Sequence, residues 1–145
     1  MKNNNDLFFV CSLIEYIARK TKNRRYDVVM QLGNDIQQIY EYADIFHCES
    51  IEKVADDFIQ KDAITEGNYD NLINCKYTIP DYWDIGEVFA RLIEDCYGEE
   101  EVVKGINEVY RSWLADRILM FNSDLYYQSR EYIAVCYKEG ELLLA

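Results

Sequence analysis

Histidine is nearly missing from this chain: His47 is the only one in 145 residues. Imidazole is the side chain that ordinarily titrates nearest neutrality, so its scarcity argues against the usual acid–base and nucleophilic catalysis. Cys48 follows His47, but neighbours on a helix point about 100° apart, and no second histidine completes a ligand set. The five cysteines contain no CxxC pair and their number is odd, which excludes a zinc ribbon or a paired disulfide framework. No glycine-rich phosphate loop, Ser/His/Asp set or HExxH motif is present. The most apolar stretch, Leu7 to Ile17, carries Glu15, is too short to span a bilayer and lacks a cleavage site. No cofactor, metal or catalytic set is therefore expected, no membrane association, and a reducing cytoplasm suits the thiols.

Acid and tyrosine are what the chain has in quantity. Asp and Glu number 27 against 15 Lys and Arg, a formal charge of −12, and there are 13 tyrosines. Half of the residues are hydrophobic, which argues against disorder. A charge this negative repels nucleic acid and anionic membranes and suits a basic protein partner; it also serves solubility alone. The length fits one domain, residues 1–145.

Apolar spacing is helical almost throughout and strand alternation is absent. The pattern predicts an all-α bundle of about seven helices without a sheet. Asp6 is placed as the cap of a first helix with Leu7, Val10, Cys11, Ile14 and Ala18 on one face, ended by the basic run. Val28, Val29 and Leu32 mark a second helix stopped at Gly33. Asn34 caps a third, carrying Ile36, Ile39, Tyr40 and Ala43. Ser50 caps a fourth, with Ile51, Val54, Ala55, Phe58 and Ile59 in register. These form a four-helix unit, residues 1–64. The stretch from Thr65 to Pro80 reads as a connector. Residues 81–145 then pack on the first unit: a helix capped by Asp81 and stopped at Gly98, a long helix from Glu99 to Phe121, and one from Ser129 to Gly140. The long helix has a main face (Val103, Ile106, Tyr110, Leu114, Ile118, Phe121) and a second one (Val102, Val109, Trp113, Met120). It is either central or turned toward a partner, including a second copy in a homodimer. Residues 1–65 carry a net charge of −3 and residues 66–145 one of −9.

Three groups are candidate sites. Arg19, Lys20, Lys22, Arg24 and Arg25 form a basic cluster, read either as a phosphate or acidic-partner contact or as a solvated helix end favoured by the dipole. A helix-turn-helix reading of residues 7–46 gives a recognition helix without Arg or Lys, so direct nucleic-acid binding is disfavoured. Glu99, Glu100 and Glu101 read as a contact for a basic partner or as first-turn acids. Tyr82, Trp83, Tyr126 and Tyr127, with Tyr77, Tyr97 and Tyr137, read as wedges between helices or as contact rings.

The segment FFVCSLIEYIARKTKNRRYDVVMQLG followed by IQQIYEYADIFHCESIEKVADDFI resembles a small all-helical bacterial domain family of unknown function. The matching elements are FxxCxLIEY, DVVxxLG, IYxYADxxH and DDFI, across roughly the first 64 residues. The family is associated with Gram-positive anaerobes and with loci that also encode ADP-ribosyltransferase-like toxins. It brings no catalytic residues, and it implies an antitoxin or immunity role. The expectation is a cytoplasmic, non-enzymatic interaction protein that masks a basic partner, such as a toxin enzyme. The alternatives are a nucleic-acid mimic that inhibits a DNA- or RNA-binding enzyme, a carboxylate- or metal-dependent enzyme, and a DNA-contacting regulator using residues 19–25.

Overall fold

A computed structural model describes residues 4–73, 75–122 and 125–142. Among these residues there are nine α-helices and no strand. The order is α1 (Asn4–Thr21), α2 (Arg25–Leu32), α3 (Asp35–Glu41), α4 (Ala43–Phe46), α5 (Ile51–Lys61), α6 (Tyr82–Cys96), α7 (Val102–Arg111), α8 (Trp113–Ile118) and α9 (Arg130–Glu139). Short 3-10 turns at Glu99–Glu101 and Leu125–Tyr127 precede α7 and α9.

The expectation of about seven helices was low because two breaks carry little signal. The third predicted helix stops at Tyr42 and restarts as the single turn α4. The predicted helix from Glu99 to Phe121 divides at Ser112, whose backbone is extended (ψ 157°). The Ser112 hydroxyl donates to the Val109 carbonyl at 2.7 Å, and the Ser112 amide bonds the same oxygen. A serine that satisfies local backbone in this way competes with helix continuation. The break disperses the predicted second face: Val102 and Val109 are buried, whereas Trp113 and Met120 are exposed.

Helix starts follow their caps elsewhere. Ser50 Oγ accepts from the Lys53 amide, and Ser129 Oγ from that of Tyr132. Asp81 and Asp84 form a reciprocal capping box at α6. Asp6 does not cap α1; it lies buried inside the first turn.

The centre of the molecule is α1, with buried residues around nearly its whole circumference. It packs against α2, α3, α4 and α5, and most extensively against α6. In turn α6 contacts α7 and α9. One hydrophobic cluster runs through both halves, from Phe9, Leu13, Ile14 and Ile17 to Phe89, Leu92, Ile106 and Leu114. The Phe89 and Tyr110 rings stack within it, centroids 4.5 Å apart. Helices α1 and α6 meet at Gly86, where a Cβ would stand 2.8 Å from the Ser12 backbone, so only glycine permits this approach. Cys11 is buried as its face predicts, and Cys96, at the end of α6, is half-buried.

Candidate binding surface on the connector

The predicted basic cluster is where the second half is tied to the first. It opens at the end of α1, where Lys22 takes a left-handed conformation (φ 55°) and the Asn23 amide reaches back to the Ala18 carbonyl. The turn divides its cations by direction. Arg25 points inward and is buried, its Nε donating to Glu15 Oε1 at 3.0 Å with both side chains almost fully enclosed. Arg19 is half-buried beside the same pair and donates to the Pro80 carbonyl. Burial outweighs the two guanidiniums and holds the Glu15 carboxyl above its ordinary range. Burial and the neighbouring Arg25 push Arg19 down. Lys20, Lys22 and Arg24 remain exposed. Lys20 pairs with Asp56, and Arg24 pairs with Asp116 while lying over the Tyr69 ring at 5.1 Å.

This turn clamps the connector. The Gly67 amide donates to the Thr21 carbonyl and the Tyr69 amide to that of Lys22, each at 2.8 Å. Asn23 Nδ2 donates to the Thr65 carbonyl at 2.7 Å. Arg25 Nη1 reaches Asn71 Oδ1 at 3.3 Å, and Asn71 Nδ2 in turn donates to the Leu119 carbonyl at 3.1 Å. A Cβ at Gly67 would lie 2.6 Å from the Lys22 carbonyl oxygen, so the fit requires glycine. Irregular backbone thus obtains its hydrogen-bond partners from the α1–α2 junction.

The clamped connector meets the turn after α8 at a half-open pocket of about 350 Å³ lined by Tyr69, Asn71, Cys75, Leu119, Met120, Phe121 and Asn122. The Lys76 amide donates to Asn122 Oδ1 at 2.8 Å, closing one side. Next to the pocket Tyr77 meets Tyr127 edge to face, centroids 6.2 Å apart, and Tyr126 bridges Tyr127 and Phe121. The Tyr127 hydroxyl donates to the Phe121 carbonyl at 3.0 Å. Tyr77, Ile79, Met120 and Tyr127 are exposed by 59, 47, 54 and 53%. Burial, with smaller contributions from Asp84, Tyr127 and Asp81, raises the Tyr126 phenol above its ordinary pKa, and Arg19 opposes them.

The other candidates lie apart. Tyr82 and Trp83 are half-buried at the start of α6. Their rings join Tyr16 on one side and Phe8 and His47 on the other, with His47 also against Phe9. The single histidine is thus part of an aromatic ladder. Glu99, Glu100 and Glu101 are exposed in their 3-10 turn. Tyr97 and Tyr137 share a 2.5 Å hydroxyl contact, and Glu108 accepts from Tyr97. Of the 13 tyrosines, Tyr42, Tyr77 and Tyr127 are exposed and Tyr110 is buried; the rest are half-buried, as helix wedges are. Among the described residues no three Asp, Glu, His or Cys side chains could together hold a metal, and no helix is long and apolar enough to cross a membrane.

Composition pointed to Tyr126 and Tyr127, but missed Tyr69, Cys75, Leu119, Met120 and the polar staples Asn71 and Asn122. One signal for the clamp was available. Glu15 falls on an otherwise apolar helix face, and a buried carboxylate requires a cationic or hydrogen-bonded partner. No protein-family model matches the chain, and no curated protein or solved structure is significantly similar to it. The fold and site therefore define an all-α protein with a clamped connector that presents aromatic and apolar side chains.

Proposed function

We propose that this protein is a non-enzymatic, cytoplasmic binding module that docks a cationic protein partner on its connector surface. The observation that carries the reading is the grouping of exposed Tyr77, Ile79, Met120 and Tyr127 beside a pocket in an acidic stretch of chain. Residues 66–84 contain Glu66, Asp70, Asp81 and Asp84 against Lys76 alone. Exposed aromatic and methionine side chains in such a setting are the composition of contact surfaces, and acid speeds encounter with a basic partner. Masking of a toxin-like enzyme is the form that the family resemblance implies. A nucleic-acid mimic has less support, because acids on α5 and α6 are engaged by Lys20, Lys53 and Arg91 rather than left as a phosphate-like row.

The test is capture of a partner by the purified chain, followed by calorimetry with the purified partner at two salt concentrations. The expected result is saturable binding that weakens as salt rises and drops roughly tenfold or more in Tyr77→Ser/Tyr127→Ser. An acidic partner, or affinity unchanged by both substitutions, would overturn the reading.

A further inference from the structure

We infer that the peptide bond between Lys76 and Tyr77 is a processing site for an endoprotease that reads a basic side chain, and that the cut protein persists as two chains in one fold. This holds whether or not a partner docks on the connector.

The connector is held unevenly along its length. Its first part is clamped: the Gly67 and Tyr69 amides donate to the α1–α2 turn, Asn23 holds the Thr65 carbonyl, and Asn71 is bonded to both Arg25 and Leu119. Lys76, Tyr77, Thr78 and Ile79 then follow as consecutive exposed residues outside any helix. Among the described residues this run is held by the Lys76 amide on Asn122 Oδ1, the Cys75 thiol on the Tyr77 carbonyl and the Tyr77 ring against Tyr127. The main chain of Thr78 and Ile79 makes no hydrogen bond among the described residues. A protease takes its substrate as an added strand, through main-chain donors and acceptors, and this run offers them without the unwinding of a helix.

Lys76 sets the specificity, because it is the only Lys or Arg between Lys61 and Arg91. The other exposed cations among the described residues lie in helices, as Lys53, Arg91 and Lys104 do, or in the bonded α1–α2 turn. The cut is a hydrolysis: water adds across the bond, leaving Lys76 with a free carboxylate and Tyr77 with a free amine. Both new ends stay tied. On the first chain Asn71 still donates to the Leu119 carbonyl. On the second, the Pro80 carbonyl still accepts from Arg19, and Asp81 still caps α6. The two chains share one hydrophobic cluster, with α1 on α6 and both α2 and α3 on α7 across the cut. That buried apolar area does not depend on one peptide bond in irregular backbone.

The test is brief digestion of the folded full chain by trypsin, read by intact mass, gel filtration and circular dichroism. The first products should be residues 1–76 and 77–145, eluting together where the uncut protein elutes and keeping its helical signal. Lys76→Gln should slow the first cut by roughly tenfold or more, since cleavage follows the open population of each segment. In that variant a lysine in the clamped part, Asn68→Lys, should not restore the rate, although Asn68 is also exposed. A first cut at another described residue, or an unchanged rate in Lys76→Gln, would overturn the choice of bond. Restoration by Asn68→Lys would show that exposure alone decides and that the clamp protects nothing. Fragments that separate, or that lose the helical signal, would overturn the two-chain form.

Discussion

The contact between α1 and α6 and the connector from Thr65 to Pro80 lie side by side and are held by opposite kinds of force. The first is apolar and continuous: Phe8 against Trp83, Tyr16 against Tyr82 and Gly86 against the Ser12 backbone, within one cluster that also holds Leu13, Ile14, Ile85, Phe89 and Ile93. Its stability comes from area removed from water and from close fit. The connector has few buried apolar residues and is held by discrete hydrogen bonds to Thr21, Lys22, Asn23 and Arg25. Separate bonds of this kind contribute about 1 kcal/mol each, so the connector is the part that can yield without unfolding the rest. Of the exposed rings, Tyr77 lies on this segment and Tyr127 packs against it from the turn before α9.

The largest expected effect comes from the one side chain that serves both regions. Arg25→Ala leaves Glu15 buried without its ion-pair partner and frees Asn71, at a cost of about 3–5 kcal/mol. Chemical denaturation measures this, and a loss below about 1 kcal/mol would show that the pair is not the junction of the two regions. Gly86→Ala and Gly67→Ala then separate them. At Gly86 the added carbon meets backbone in the central helix pair, and a global loss of about 1–3 kcal/mol or more is expected. At Gly67 it meets the Lys22 carbonyl and the Asn23 side chain, and global stability should change by less than about 1 kcal/mol. Hydrogen exchange should rise at Gly67 and Tyr69 only. Equal thermal destabilisation by the two variants would erase the distinction.

The smallest effect tests the clamp's neighbour, the end of α5. Burial and the neighbouring Asp35 carboxylate raise the Asp62 carboxyl from 3.8 to about 6. The folded state therefore holds a proton that the unfolded chain has released. The stability from this group is present below its ordinary pKa and lost as pH rises through about 6. Asp62→Asn should thus be more stable than the parent at pH above about 6 and converge with it in acid. Solvent exposure limits the gain to less than about 1 kcal/mol. Thermal unfolding across pH checks the sign, and a difference that grows in acid would contradict it.

Helix identity was legible wherever an apolar stripe met a side-chain cap. Ser50, Asp81 and Ser129 each start a helix where spacing and cap agree. The breaks at Tyr42 and Ser112 were not legible, because each turns on one residue's backbone angles within an unbroken helical pattern. The candidate surface was less legible. Tyr126 and Tyr127 pack beside the pocket, whereas Tyr82 and Trp83 meet α1, since a ring's type does not say which helix it meets.

Composition and periodicity sufficed for an acidic chain of capped helices with an irregular link after residue 64, because these depend on neighbours a few positions apart. They could not show that Arg19 and Arg25 turn inward while Lys20, Lys22 and Arg24 stay out. That division follows from Glu15 and from connector carbonyls and amides that reach the cluster only after folding. Position along a helix is a local property, whereas the partner that satisfies a buried charge arrives from a distant part of the chain.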